Sequence, residues 1–256
     1  MNPVNSLVTR VQRAADLLLQ ARASRRPLGR LPDDAAPQSS REAYAIQDRV
    51  IDALGPLGGW KVGAKTPTDE PSCAPLCASW LVASPAHFAA RAFALNGIEA
   101  EIAFRLARDL TARSNPYTPQ DIVAAVASVH PVIEVVDSRF ADIRAVDPLS
   151  LLADSLSHGA LVIGTGIPLP DAFDVTAQTV ELDVDGTRVV SARNSNTAGE
   201  PFRLLAWLAN HAAGRCAGLR RDQVVTTGSW TGIRFVAPDA RVEARFPGIG
   251  DVRVEL

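Results

Sequence analysis

Residues 97–110 read GIEAEIAFRLARDL, and the alternation in this stretch indicates how the chain folds. From Gly97 to Phe104 apolar residues alternate with charged ones, which is the period-two pattern of a half-buried β-strand. Glu99 and Glu101 therefore share one face of the strand, about 6.5 to 7 Å apart along its axis. Two carboxylates at that spacing can converge on one hard cation, although charged strand faces also commonly turn to water.

A second stretch, HPVIEVVDSRF at residues 130–140, places one carboxylate inside a β-branched apolar run. The residues on either side of Glu134 are valine and isoleucine, so both faces of the predicted strand are apolar. Burying a lone carboxylate is costly, and such a group needs a cation, a metal ion or a proton. Two explanations stay open at this point: a metal ligand, or a buried ion pair with Arg139.

The rest of the chain mixes helical and strand-like segments, with β-structure concentrated in its second half. Predicted helices cover residues 4–21, 40–54, 119–129, 149–157 and 201–212. Predicted strands cover residues 60–63, 97–104, 131–136, 161–164, 179–184 and 188–191, with short strands in the last forty residues. Residues 22–39 and 65–76 are predicted to be loops. Asp185-Gly186 suits the type I′ turn of a hairpin.

Composition limits the class of partner. The chain has 256 residues, 47% of them hydrophobic, and 26 basic against 28 acidic residues give a net charge of −2. Such a chain buries a large core but offers no field that attracts nucleic acid or anionic membranes, so we expect a small-molecule partner. Three cysteines, the absence of a signal-peptide pattern and the absence of an 18-residue apolar run lead us to expect a cytoplasmic protein.

Other catalytic patterns fail on spacing. Gly164-Thr165-Gly166 has Leu169 where a dinucleotide-binding fingerprint needs its third glycine. Four dispersed histidines are expected to be structural: His87, His130, His158 and His211.

The two glutamate-bearing stretches resemble segments of the 2-keto-4-pentenoate hydratases and 4-oxalocrotonate decarboxylases, a branch of the fumarylacetoacetate hydrolase superfamily. Residues 97–110 are similar to the E-x-E-x-A-F segment of that branch, and residues 130–140 to its P-x-x-E-I-V-D-S-R segment. Further similar positions follow in the same order along the chain: GWKVG at 59–63, Ala153-Asp154 with Ser157, LAWLAN at 205–210, and Thr227-Gly228-Ser229 with Thr231. The resemblance runs from about residue 40 to the C-terminus.

This resemblance implies an α+β fold, a β-roll of mixed sheets flanked by helices. It implies a catalytic domain at residues 61–256, with residues 1–60 forming a helical region packed on its body. It also implies a Mg²⁺ or Mn²⁺ site at Glu99, Glu101 and Glu134, and assembly as a homo-oligomer. The ion would be chelated by the keto and carboxylate oxygens of a 2-oxo acid substrate.

The resemblance assigns further residues to the site. Lys61 corresponds to a lysine that shuttles the proton of a dienol-to-keto tautomerisation, although a surface lysine is the simpler alternative. Residues predicted to contact the substrate are Arg139, Ser157, Ser229 and Thr231. Each also suits a turn or an ordinary buried polar position, and Arg139 could instead brace Asp137.

One position departs from the branch. Pro71 to Leu76 reads PSCAPL where the hydratases have P-D-Y-G-x-L, so Ser72 stands at the position of a catalytic aspartate. A hydroxyl is a weaker general base than a carboxylate. The predicted function is a metal-dependent lyase acting on a short 2-hydroxydienoate or 2-oxo acid, with hydration as the leading reaction. Decarboxylation, acylpyruvate C–C hydrolysis and non-catalytic binding of a 2-oxo acid are the alternatives.

Overall fold

The computed structural model describes residues 3–89 and 91–256, with side chains from residue 7 onward. Its helices are α1 (Pro3–Ser24), α2 (Ser40–Leu54), α3 (Pro119–Val123), α4 (Pro148–Ala153) and α5 (Pro201–Ala212). Its strands are β1 (Leu57–Gly63), β2 (Ser72–Cys77), β3 (Leu81–Ala83), β4 (Ala86–His87), β5 (Gly97–Leu106), β6 (Val126–Val136), β7 (His158–Ile163), β8 (Ile167–Pro168), β9 (Thr179–Val184), β10 (Thr187–Arg193), β11 (Val224–Ser229), β12 (Arg234–Phe235), β13 (Arg241–Phe246) and β14 (Gly250–Glu255).

Two mixed sheets form the body. The larger has the order β2-β1-β11-β5-β6-β7-β3, with β12 paired to β5 and β8 to β6. The smaller has the order β10-β9-β13-β14-β4. β1–β11, β3–β7 and β4–β14 are parallel pairs, and the remaining pairs are antiparallel. The predicted α+β fold with mixed sheets is therefore confirmed.

The central strands β5 and β6 bring the two glutamate-bearing stretches together. Their antiparallel register sets Glu99 directly opposite Glu134, and Ser229 of β11 lies opposite Glu101. The apolar face of β5 is fully buried in the main core. The prediction that β5 is half-buried is wrong, because Glu101 is also only 2% exposed. Both faces of this strand are covered.

Residues at the N-terminal end pack as a helical layer. α1 and α2 share a second core, in which Ala14, Leu18 and Ile46 contact Phe140 and α4. Ser39 caps α2 by accepting from the backbone N–H of Glu42. No helix within the described residues is long and apolar enough to cross a membrane.

Three predicted elements need correction. The predicted loop at 65–76 contains β2, which accommodates Pro75 because β2 is the edge strand of its sheet. The predicted helix at 119–129 ends at Val123, and β-branched residues start β6 three positions later. The predicted helix at 149–157 ends at Ala153, after which the chain turns left-handed. The hairpin is as predicted, since Asp185 and Gly186 both have the positive φ of a type I′ turn.

Candidate active site

Three glutamates meet where β5 and β6 pair. One carboxylate oxygen from each of Glu99, Glu101 and Glu134 lies within 4.8 Å of the others, an arrangement that could hold a metal ion. Glu101 and Glu134 are buried, and Glu99 is partly exposed. The structure thus brings together the three residues that are predicted from the sequence as metal ligands. The arrangement also rules out a solvated strand face for this pair of β5 carboxylates.

The partners of these carboxylates are unevenly distributed. Oε2 of Glu101 accepts hydrogen bonds from the Thr226 hydroxyl and, at 3.0 Å, from the Gly228 N–H. Oε1 of Glu134 accepts from Lys61 Nζ at 2.6 Å and from His158 Nδ1 at 2.9 Å. Oε2 of Glu134 is buried and has no hydrogen-bond partner among the described residues. A buried carboxylate oxygen in that state needs a further positive or donor group, which a cation would supply.

Lys61 reaches the cluster because the large sheet curls. β1 and β6 are separated by two strands, a distance of about 14 Å in a flat sheet, which is beyond the reach of a lysine side chain. In the folded chain Nζ nevertheless contacts Glu134 and also donates to the Leu156 carbonyl oxygen at 3.2 Å. Its side chain is 14% exposed. Lys61 is therefore part of the cluster and not a surface lysine.

Burial and mutual repulsion shift the pKa values in the cluster. Burial, and then the charges of Glu134 and Glu99, raise the pKa of Glu101 to about 8. Burial and Glu134 also raise the pKa of Glu99. Burial works against ionisation of Glu134 too, but Lys61 and His158 outweigh it and lower its pKa. Without a cation the buried carboxylates repel one another when all three are ionised. The cluster therefore retains a proton near neutral pH.

The same negative charges favour the charged form of the lysine, whereas they disfavour the charged form of Glu99 and Glu101. Burial alone would lower the pKa of Lys61, but the three carboxylates outweigh it, so the net pKa is raised. The ammonium form is thus maintained by negative charge around it. Neutralising that charge would let burial dominate and make the amine a better proton donor.

A left-handed turn after α4 positions the second acceptor of Lys61. Ser155, Leu156 and Ser157 have φ values of 52°, 53° and 59°, a conformation that costs energy for residues other than glycine. The turn presents the Leu156 carbonyl to Lys61 and leads directly into His158. Strain held at a site of this kind is a common accompaniment of function.

Arg139 holds this turn from behind. Its Nε donates to Asp154 Oδ1, Nη2 donates to the Asp154 carbonyl at 2.9 Å, and Nη1 donates to the His158 carbonyl at 2.8 Å. The alternatives of a pair with Glu134 or a brace on Asp137 are therefore wrong, because all three nitrogen atoms serve other partners. Whether Arg139 also contacts a substrate stays a prediction.

The remaining predicted residues occupy different settings. Ser229 Oγ is buried without a hydrogen bond of good geometry, yet it is close enough to Glu99 to favour the charged carboxylate. The hydroxyl of Thr231 accepts from the Ala100 N–H and donates to the Gly232 carbonyl, so it braces the backbone beside β5. Ser157 lies in the left-handed turn.

Ser72 lies on the edge strand. The β1–β2 register places it opposite Gly63, two residues from Lys61, so Ser72 and Lys61 are on the same face of the sheet. It also lines a separate pocket of about 550 Å³ between α2 and α5.

His158, which the sequence predicts to be structural, lies against the carboxylate cluster. It starts β7, is buried, and contacts Glu134. Its imidazole orients Glu134 in the way that an outer residue orients a metal ligand. The contact between His158 and Glu134 follows from the pairing of β6 with β7, which the sequence does not show. The position of His158 directly before the apolar run GALVI is a weak sign in the sequence that it has a role.

Comparison with known proteins agrees with this geometry. Residues 65–256 match the fumarylacetoacetate (FAA) hydrolase C-terminal family. The chain is 31% identical to the 2-keto-4-pentenoate hydratase of Burkholderia vietnamiensis, covering 99% of this chain and 98% of that protein. It is 32% identical to 2-keto-4-pentenoate hydratase 2 of Dechloromonas aromatica, covering 93% and 94%.

A solved structure shares the fold. The 4-oxalocrotonate decarboxylase from Pseudomonas putida, complexed with calcium and acetate, superposes with a TM-score of 0.84 at 24% identity, covering 96% of this chain and 97% of that one. The family match and the hydratase relatives show that the chain belongs to the fumarylacetoacetate hydrolase family, on the branch of the 2-keto-4-pentenoate hydratases and 4-oxalocrotonate decarboxylases.

Proposed function

We propose that the protein is a divalent-metal-dependent hydro-lyase that adds water to a short 2-hydroxydienoate or the corresponding 2-oxo acid. The observation that carries this proposal is the contact of Lys61 Nζ with Glu134, within a cluster of three carboxylates. Relatives that align over nearly the whole chain are named as 2-keto-4-pentenoate hydratases, which supports the reaction class.

The residues present fit a hard divalent ion. Glu99, Glu101 and Glu134 supply only oxygen donors, which suit Mg²⁺ or Mn²⁺. The unpartnered Oε2 of Glu134 and the raised pKa of Glu101 are both features that a cation would relieve. The chemistry an ion supplies in such a site is chelation of a 2-oxo acid and stabilisation of enolate charge. Solved relatives are complexed with calcium or magnesium, in line with this assignment.

The protein's own part in the reaction is proton transfer and orientation. Lys61 holds a proton on Nζ, fixed in direction by Glu134 Oε1 and by the Leu156 carbonyl. When the carboxylate charge is balanced, burial makes release of that proton easier, so Nζ can protonate a substrate carbon. The neutral amine then takes up the proton that the enol hydroxyl of the substrate releases, which restores the ammonium form. His158 and Thr226 keep two of the carboxylates in place.

A decarboxylase is the second candidate, and Ser72 is the observation that favours it. Addition of water needs a base to activate the water, and a serine hydroxyl on the Lys61 face is a weaker base than the aspartate of the hydratases. In a 2-oxo dicarboxylic acid such as 4-oxalocrotonate, the distal carboxylate leaves as carbon dioxide and its bonding electrons pass to the keto group as an enolate. This step needs enolate stabilisation and protonation but no activated water.

A steady-state assay separates these reactions. With Mg²⁺ present and 2-hydroxypenta-2,4-dienoate as substrate, formation of a 4-hydroxy-2-oxo acid supports hydration. Release of carbon dioxide from 4-oxalocrotonate supports the decarboxylase, and a carboxylic acid fragment from an acylpyruvate indicates C–C hydrolysis. If a panel of 2-oxo acids gives no turnover with Mg²⁺ or Mn²⁺, the enzyme proposal is wrong and a binding role takes its place.

Ser72→Asp tests the water-activation step directly. We expect hydratase turnover to rise, because the new carboxylate lies on the Lys61 face, while Ser72→Ala serves as the matched control. Unchanged turnover in Ser72→Asp would mean that another group activates the water. Homo-oligomeric assembly and cytoplasmic location stay predictions, and light scattering in solution tests the first.

A further inference from the structure

A pocket of about 610 Å³ lies outside the carboxylate cluster, between the end of α1, the segment before β5 and the segment after β6. Its size falls within the range of small-molecule binding sites. None of Lys61, Glu99, Glu101 and Glu134 lines it. A ligand in this pocket would therefore not contact Lys61 or the three glutamates.

The charge of this pocket is unbalanced. Four arginines line it, and Asp137 is the only acidic residue among the lining residues. That carboxylate is already engaged, since its Oδ1 accepts from the N–H groups of Ala94 at 2.9 Å and Leu95 at 3.0 Å. The arginines are Arg22, Arg25, Arg91 and Arg139. Only Arg139 among them has a carboxylate partner, Asp154, within ion-pair distance in the described part of the chain.

Arg22 is the group that most needs a partner. It is half-buried at the end of α1, and its Nη2 donates to the His158 carbonyl oxygen at 3.1 Å. Burial, and then the nearby charge of Arg139, lower its pKa to about 10. A partly desolvated guanidinium beside a second one is stabilised by an anion, and its planar fork matches a carboxylate.

Aromatic rings supply the apolar part of the pocket. Trp80 and Phe93 both line it, with ring centroids 6.3 Å apart. The guanidinium carbon of Arg22 lies 5.7 Å from the centroid of the Trp80 ring. A ligand with a flat apolar ring and one carboxylate would place the ring against Trp80 and Phe93 and the charge against Arg22.

We propose that this pocket binds a small aromatic carboxylate, with Arg22 as its principal anion contact and Arg25 and Arg91 as the charged rim. The site is separate from the carboxylate cluster, and the proposal does not depend on which reaction the cluster catalyses.

Calorimetric titration with benzoate tests the proposal, using the full chain in the presence of Mg²⁺. We expect saturable binding of benzoate and none of benzamide, which has the same shape without the charge. Arg22→Met should weaken benzoate binding roughly tenfold or more, because it removes a charged hydrogen-bond donor. Arg26→Met is the matched control, since Arg26 is exposed nearby and does not line the pocket, and it should leave binding unchanged.

Two further variants keep the test decisive. Arg22 also ties α1 to β7, so the double variant Arg25→Gln with Arg91→Gln covers the case in which Arg22→Met fails to fold; it too should weaken benzoate binding. Glu101→Gln should retain binding, since it alters only the cluster. The proposal is overturned if benzamide binds as well as benzoate, if the arginine variants bind like wild type, or if Glu101→Gln abolishes binding.

Discussion

Glu101→Gln removes one negative charge from the crowded cluster while keeping the shape of the side chain. The amide oxygen can still accept from the Thr226 hydroxyl and the Gly228 N–H, the two donors that Glu101 Oε2 now uses. The new amide N–H₂ faces the carboxylates of Glu99 and Glu134, whose oxygens lie within 4.8 Å of the Glu101 carboxylate. We therefore expect the variant to fold, with its polar atoms satisfied.

The expected magnitude follows from the raised pKa. Glu101 has a pKa of about 8 in the folded chain against an ordinary value of 4.5. Between those values the folded protein holds a proton that the unfolded chain has released, so stability is full below pH 4.5 and falls as pH rises through 8. At about 1.4 kcal/mol per pH unit, the metal-free wild type should lose about 3 kcal/mol between pH 5 and pH 7 through this group.

Urea denaturation followed by tryptophan fluorescence measures this loss, with a chelator present at each pH. Glu101→Gln should lack most of it, and Glu70→Gln, an exposed carboxylate outside the cluster, should behave like wild type. With Mg²⁺ at a hundred times its Kd the wild type should gain about 2.7 kcal/mol, and the variant should gain less at the same concentration. If wild type and Glu101→Gln share one pH dependence and one response to Mg²⁺, the reasoning about repulsion in the cluster is refuted.

Three further substitutions probe the surroundings of the cluster. Lys61→Met should lower turnover by about a hundredfold or more in the steady-state assay while the thermal shift with Mg²⁺ persists, because it removes the proton carrier and no proposed metal ligand. Asp154→Ala should destabilise the chain by about 3 to 5 kcal/mol in urea denaturation, because Arg139 is left buried without its partner. His158→Gln should weaken Mn²⁺ binding by about 10- to 100-fold in calorimetry, since Glu134 loses an orienting donor.

Each of these has an outcome that contradicts it. Near-normal turnover in Lys61→Met would remove the lysine from the proton path. Exposed ion pairs contribute less than about 1 kcal/mol to the free energy of unfolding. A loss that small in Asp154→Ala would show that other groups stabilise the charge of Arg139. Unchanged Mn²⁺ affinity in His158→Gln would make that imidazole a packing residue.

Local patterns predicted the two strands that carry the proposed ligands, because each pattern is complete within a few residues. The alternation around Glu99 and the apolar setting of Glu134 both survive in the structure as paired strands. The depth of burial of Glu101 could not be predicted in the same way. It depends on the pairing of β5 with β11, which sets Thr226 and Gly228 against this carboxylate, and no short stretch encodes that pairing. β2 was not predicted either. Pro75 is compatible with a strand only at the edge of a sheet, and a short stretch does not show that its strand lies at an edge.

Contacts that join distant segments account for the rest. Arg139 lies only five residues from Glu134, yet it pairs with Asp154, because β6 ends at Val136 and Arg139 belongs to the segment that follows it. His158 meets Glu134 only through the antiparallel β6–β7 pair. A single sequence names the residue types available for such contacts but not the strand order that selects among them.

At the left-handed turn from Ser155 to Ser157, thermal stability and turnover make opposite demands on the sequence. Each non-glycine residue held there costs on the order of 1 to 3 kcal/mol, and three stand in succession. Glycine in place of Leu156 would remove the penalty of that one residue, but it would also enlarge the conformational freedom of the unfolded chain and loosen the carbonyl that faces Lys61. Directed evolution for thermostability would therefore find this turn an attractive target, and the variants it enriched there would be slower enzymes.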